Sequence, residues 1–313
     1  MKRQQNTSGA RRGAPALLLL LFGAPAGAQP AAELFPQPMV VEHQLIEREN
    51  DGNVFYGEPV RDTYGGSWIV SERPDGSRLV IDLVRREMTE IRPAEGTYST
   101  IGFGRFAELR ARISRLVEGA PRVAPKGSPK SDAELELVEL KGAEARAALS
   151  RPSRTGPEAL PAASQAEAVR RFEVREKGST RQAAAEVWVD PRLRFGEAAQ
   201  AALAAFEADA LAGGPAGGAA PSFDPVRLMA DVRRQSAGAL PVFTVIPVLR
   251  EDGEKVGESE DRVLSASPLE AFPAELARVP EGLVRTSHPL ESILAALEAE
   301  AAIDAALAGK ASP

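Results

Sequence analysis

Between residues 40 and 101 a series of turn signals cuts the chain into short β-prone runs, and this spacing constrains the fold more than any other feature. Val40-Val41 opens a run reaching about Arg48, which Asn50-Asp51-Gly52-Asn53 ends. Trp68-Ile69-Val70 starts another, which meets Arg73-Pro74-Asp75-Gly76-Ser77. There Pro presets φ for the second turn position, Asp closes an Asx-type turn and Gly takes the positive φ. In the next run Leu79, Ile81 and Leu83 share one face while Asp82 points to the other. Arg85-Arg86-Glu87 leads into Met88 to Ile91, and Pro93-Ala94-Glu95-Gly96 into Thr97 to Ile101. The pattern predicts an antiparallel meander of short hairpins.

Helical periodicity then takes over. Phe106, Leu109, Ile113 and Leu116 make one stripe of a helix from about Gly104 to Glu118, with Arg105, Glu108, Arg112 and Arg115 on the remaining surface. Leu135 to Leu140, Phe172 to Arg175 and Ala185 to Val189 read as further strands. Phe195, Ala199, Leu203 and Phe206 mark a second helix, and Asp224 as N-cap with Pro225 at the first helical position begins a third. Val242 to Leu249 is apolar on both faces, so that strand should be covered on both sides, and Pro247 within it implies an edge or a bulge. The Ala/Glu-rich segment Leu290 to Leu307 reads as a peripheral C-terminal helix. Flexible insertions are expected near 121-133, 143-166 and 212-222, where Pro, Gly, Ser and Ala dominate without usable periodicity.

Lys2, Arg3, Arg11 and Arg12 precede an apolar stretch from Ala14 to Ala24, and Ala26-Gly27-Ala28 has the small-x-small form that signal peptidase accepts. Residues 1-28 are therefore expected to be a removed leader, with Gln29 starting a mature chain that is periplasmic or otherwise exported. Removing the leader's four basic residues leaves 34 basic against 44 acidic side chains, a net charge of −10. That balance argues against nucleic acid as a partner, because such binding neutralises phosphates with Lys and Arg. It also argues against general adsorption to anionic membranes, and no stable membrane insertion is expected. The chain has no cysteine, which excludes a disulfide framework, a thiol nucleophile and thiolate metal ligands.

The order of these elements resembles the DUF4412 family of exported bacterial proteins. The resemblance rests on Leu79-Val80-Ile81-Asp82-Leu83 with Thr97-Tyr98, on Ala185-Glu186-Val187-Trp188-Val189-Asp190-Pro191, on Leu240-Pro241-Val242, and on Phe272-Pro273-Ala274-Glu275-Leu276 through Val279-Pro280-Glu281-Gly282. It covers roughly residues 38-286, with Ala277 and Leu283 where that family's closing aromatic residues stand. The family is similar in architecture to the outer-membrane lipoprotein carrier (LolA/LolB-like) superfamily. The resemblance thus implies a mainly β, α+β domain over 38-286. Its frame would be an unclosed antiparallel β-barrel, a LolA-like half-barrel, with about three amphipathic helices on the concave side. Residues 289-313 would add a peripheral helix and tail.

Catalytic chemistry has little to stand on. His43 and His288 lie near opposite ends of the domain and read as strand-surface and loop residues; no HExxH, P-loop, GxSxG or Rossmann glycine pattern appears. Asp252, Glu254, Glu258, Glu260 and Asp261 lack a calcium loop's ligand spacing and read as a solvated hairpin. No catalytic residue, metal or cofactor is expected, although a hydrolase with unrecognised carboxylates remains a third possibility. The leading expectation is a non-enzymatic binding protein that takes up a lipid or other hydrophobic ligand in a concave β-sheet cavity. Trp68, Val70, Leu79, Ile81, Leu83, Trp188, Phe243 and Val245 are its expected lining. The alternative is a structural or interaction module with a filled core, whose partner is an envelope protein. Arg85-Arg86 and the arginine-rich helix face suit an anionic headgroup or an acidic partner, although most such charges are merely solvated. Core and cavity lining share one face of such a sheet, so the sequence leaves both readings open.

Overall fold

The Arg73 to Ser77 turn forms as its residue types dictate. The Asp75 carboxylate accepts the Ser77 amide at 2.8 Å, Gly76 has φ +79°, and the Gly76 amide closes onto the Arg73 carbonyl at 2.9 Å. In the next turn Asp82 accepts the amides of Val84 and Arg85 at 3.0 and 2.9 Å, which lets Arg86 take φ +58°. A computed structural model describes residues 34–119, 135–149, 168–176, 185–211, 225–249 and 255–310. The expected leader, most of the three insertions, Asp224 and the Asp252-Glu254 pair lie outside the described residues.

The turns string together β1 (Phe35–Glu49), β2 (Val54–Tyr56), β3 (Val60–Gly66), β4 (Trp68–Glu72), β5 (Arg78–Asp82), β6 (Glu87–Arg92) and β7 (Thr97–Gly102). Helix α1 (Phe103–Gly119) follows, then β8 (Leu135–Leu140), α2 (Gly142–Leu149), β9 (Arg170–Glu176) and β10 (Ala185–Arg194). The chain continues through α3 (Glu197–Phe206), a π-helical turn (Glu207–Leu211), α4 (Pro225–Gln235), β11 (Ala239–Leu249), β12 (Lys255–Pro268), β13 (Val284–Arg285) and α5 (Pro289–Lys310). The fold is mainly β: one large unclosed sheet in the order β13-β7-β6-β5-β4-β3-β1-β12-β11-β10-β9-β8, with β2 paired to β1 and few helices. All pairs are antiparallel except β13 on β7.

The expected meander runs from β3 to β7, and the two longest strands continue the sheet beyond it, β1 paired to β3 and β12 to β1. Pro247 sits where β11 has run past the last pair it makes with β10 and is bonded only to β12, so the missing amide costs no ladder bond. One expectation needs correcting. The stretch expected to be irregular from 143 begins with helix α2, because Gly142-Ala-Glu-Ala-Arg-Ala-Ala-Leu149 has strong helix formers but no apolar stripe to announce them.

Three apolar clusters hold the sheet. The largest joins Ile69, Ile81, Met88 and Ile101 to Phe103 and Leu109 of α1 and to Ala199, Leu203 and Phe206 of α3. A second packs Val187, Val189, Phe172 and Val174 under Leu228 and Val232 of α4. The third lies on the opposite face of β4 to β6, where the segment 272–283 covers Val70, Val80 and Ile91. Phe272 stacks on Trp68 at 5.5 Å between ring centres. Gly65 is required there, since a Cβ would run into the Phe272 ring. Helix α5 packs its first half on α1: Leu294 is 4% exposed, and Arg105 and Arg112 of α1 pair with Glu291 and Glu298. No helix of the described residues is long and apolar enough to cross a membrane.

Candidate functional site

Strand β1 is the seam of the sheet, bonded to β3 along one edge and to β12 along the other. His43 stands on it opposite Val60 and Val263, beside a register shift where β12 carries one extra residue. Side chains two positions along a neighbouring strand are within reach of a long or aromatic group. Asp62 on β3 and Asp261 on β12 occupy those diagonal positions. His43 Nδ1 donates to Asp261 Oδ1 at 2.9 Å, and Nε2 is 3.5 Å from Asp62 Oδ2. The two carboxylates hold the imidazole in its charged form, the Asp261 hydrogen bond first and Asp62 second. Against the opposing effect of burial they push its pKa up to about 10.

Asp62 is further fixed by its strand partners. Ser71, directly across on β4, donates to Oδ1 at 2.5 Å, and the Tyr64 hydroxyl donates to Oδ2 at 3.3 Å. Burial, with the Asp62 charge second, pushes the Tyr64 phenol well above its ordinary range, so it stays a neutral donor. An imidazolium between two carboxylates carries a proton on each nitrogen, donating to Asp261 from Nδ1 and facing Asp62 as an ion pair at Nε2. It has no lone pair with which to act as a general base at neutral pH.

This polar group lines a cavity of about 210 Å³. Its sheet walls are Val41, Tyr64, Ile69 and Val263, and its cover comes from Phe195, Leu203 of α3 and Met229 of α4, with Leu240 and Pro241 of β11. Phe35, Tyr64 and Phe195 form a three-ring cluster with centres 5.0 to 5.7 Å apart. Arg233 of α4 also lines the cavity and pairs with Glu207 of the π-helical turn. Burial pushes the Glu207 carboxyl above its ordinary range while Arg233 pulls it back. That pair ties α4 to the end of α3 across the top of the cavity.

None of the eight residues expected to line a cavity is among these. Strand register separates them. Ile69 pairs with Ile81, whereas Trp68 pairs with Asp82 and Val70 with Val80, so Trp68 and Val70 share the opposite face, under the segment that includes Phe272. Ile81 and Leu83 sit in the main core, and Leu79 on the same strand is 37% exposed. Trp188, Phe243 and Val245 are buried on β10 and β11, with Arg171 over the Trp188 ring at 4.9 Å and Arg262 over the Phe243 ring at 5.7 Å. His288 is far from His43 in role. It packs edge-on against Phe106, its Nδ1 accepts the Leu290 amide at 3.2 Å, and burial lowers its pKa.

His43 and Asp261, expected on a strand surface and in a solvated hairpin, meet here together with Asp62 and Tyr64, which were not expected at a site. The available signal is parity: His43 alternates with Val41, and Asp62 with Val60 and Tyr64, placing polar groups on an apolar face. Within the acidic run that lacks calcium spacing, Glu258 pairs with Lys255, Glu260 with Arg48 and Arg262, and Asp261 with His43. Among the described residues no group of three or more His, Cys, Asp or Glu is arranged to hold a metal ion.

No family model matches the chain, and no curated protein does. Among solved structures it is similar to an uncharacterized conserved protein from Thermus thermophilus. The two share 11% identity with a TM-score of 0.31, over 80% of this chain and 90% of that one. A likeness of that size carries no argument about function.

Proposed function

We propose that this is an exported, non-enzymatic binding protein that takes a small hydrophobic ligand into the helix-covered cavity on the seam of its sheet. The observation that carries the reading is the cavity itself: apolar walls from five strands and two helices, with His43, Asp62 and Asp261 held together on its lining. Binding sites for small molecules have this composition, an apolar body with a few placed polar groups. The driving force is water leaving apolar surface, about 25 cal/mol per Å² buried. Exchange follows from separating α3 and α4, which the Arg233–Glu207 pair holds together. The resemblance to the DUF4412 and LolA/LolB-like proteins supports a half-barrel carrier of this kind. The cavity is below the range of about 300–1,000 Å³ usual for ligand pockets, which favours a short apolar segment over a full acyl chain.

A second reading has its own support. Five of the eight side chains expected to face a ligand, Ile81, Leu83, Trp188, Phe243 and Val245, sit in the helix-covered core and are 9% exposed or less. The concavity is therefore filled over most of its area, as an envelope interaction module with a solid core would be. Leu45, Phe55 and Tyr56 are the exposed apolar residues such a partner would cover.

Native mass spectrometry of protein starting at Gln29, purified without detergent and followed by solvent extraction, separates the two. The carrier reading expects a discrete adduct that extracts as a hydrophobic molecule and disappears in Leu203→Trp, which fills the cavity. A clean apo mass, unchanged after incubation with envelope lipids, overturns it in favour of the interaction module.

A further inference from the structure

Within that binding reading, on which this inference rests, we infer that the cavity selects a cationic amphiphile, an alkylammonium whose chain lies on the apolar walls and whose head meets Asp261. Four charged side chains line the cavity, each from a different strand or helix. β1 contributes His43, β3 Asp62, β12 Asp261, and α4 Arg233. Both cations are committed: His43 has a carboxylate at each nitrogen, and Arg233 is taken by Glu207, with both of those side chains at most 15% exposed. Asp62 is committed too, accepting from Ser71 and Tyr64 besides facing His43.

Asp261 differs. Its Oδ1 receives His43, and among the described residues its Oδ2 has no hydrogen-bond partner, while its side chain is 47% exposed. The surplus among these charges is thus one carboxylate oxygen, at the mouth and next to low-dielectric walls, where a charge pair is stronger than in open water. Tyr64 and Phe195, 5.0 Å apart, add ring faces to the same lining, and aromatic faces attract ammonium groups. An anionic head would meet the same oxygen as a repulsion. Size agrees with a short chain: an apolar cavity of about 150 Å³ holds benzene, so one of about 210 Å³ suits six to eight carbons.

The test is a set of NMR titrations of the protein from Gln29 with hexylammonium, hexanol and hexanoate at pH 7.5. Hexylammonium is expected to bind about ten-fold more tightly than hexanoate, with hexanol between them. Asp261→Asn should weaken hexylammonium about ten-fold, whereas Glu258→Gln, which removes an equal charge on the same strand but pairs with Lys255, should leave it unchanged. Hexanoate binding as tightly as hexylammonium in the unaltered protein overturns the charge preference and leaves the binding reading standing. Failure of all three probes to bind overturns the cavity as a site altogether.

Discussion

The two limbs of the sheet, on either side of β1, solve one packing problem in opposite ways. On the β4 to β7 limb a single rung runs Ile69, Ile81, Met88, Ile101 in register, all buried and all aliphatic. On the β9 to β12 limb the corresponding four-strand rung is Arg171, Trp188, Phe243, Arg262: two aromatic rings flanked by guanidiniums. The next rung there is Glu173, Glu186, Val245, Glu260, and none of these eight residues is more than 6% exposed. Aliphatic rungs are stabilised by burial alone, and a two-residue slip of β5 still sets Leu79 or Leu83 against Ile69 and Met88. In the charged limb the same slip would set Glu260 beside Phe243 and take Arg262 from its ring. Buried charges add little net stability because desolvation offsets attraction. What they contribute is a register that only one pairing satisfies.

Conservative changes to one member of each limb separate the two modes of packing. Glu260 accepts Arg48 at 2.7 Å and Arg262 Nε at 3.0 Å, so Glu260→Gln leaves two guanidiniums without their carboxylate. Removing one partner of a buried pair costs about 3–5 kcal/mol. Ile81→Val removes one methylene from the aliphatic rung and should cost about 1 kcal/mol. Urea unfolding of both variants measures the ratio. A Glu260→Gln cost no larger than that of Ile81→Val would mean that the charged limb is held by its aromatic pair alone.

His43 belongs to neither limb; it stitches them, reaching Asp62 on one and Asp261 on the other. Its pKa is raised from 6.5 to about 10, so the folded state holds a proton that the unfolded chain releases. The resulting stability is fully present below about pH 6.5 and is lost as pH climbs towards 10. Solvent reaches a quarter of the side chain, so screening reduces the expected loss to about 2 kcal/mol. Unfolding free energy should therefore fall between pH 7 and 9.5, and His43→Gln should flatten that slope. A parallel slope in the variant would show that the seam does not depend on the charge.

The contrast between limbs also explains what can be read from the chain. The β4 to β7 limb is legible because each turn has its own chemistry and each strand is a short β-prone run between two such turns. The charged limb is not, since Arg171-x-Glu173-x-Arg175 and Glu258-x-Glu260-x-Arg262 look like solvated faces until their neighbours are known. Parity puts Trp188 with Glu186 and opposite Val187, but it says nothing of the Arg171 guanidinium that covers the ring. The cavity fails to show for a related reason. His43, Asp62 and Asp261 are far apart in sequence and meet only because β1 lies between β3 and β12. The expected lining groups Trp68 and Val70 with Ile81, although register sets them on the other face, and a one-residue difference in pairing decides that.

The smallest expected effect lies at the helix layer, where charge and burial again divide the work. Arg112 pairs with Glu298 and Arg105 with Glu291, all on side chains 38–45% exposed, and exposed pairs contribute about 0–1 kcal/mol. Leu294, 4% exposed, is what seats α5 on α1. Arg112→Ala should therefore cost about 0.5 kcal/mol and leave α5 docked, with amide exchange protection around Leu294 retained. If that single change releases α5, exposed charges at the surface are setting position in the helix layer just as buried ones set register in the β9 to β12 limb, and the distinction between the limbs would lie in the residue types rather than in their burial.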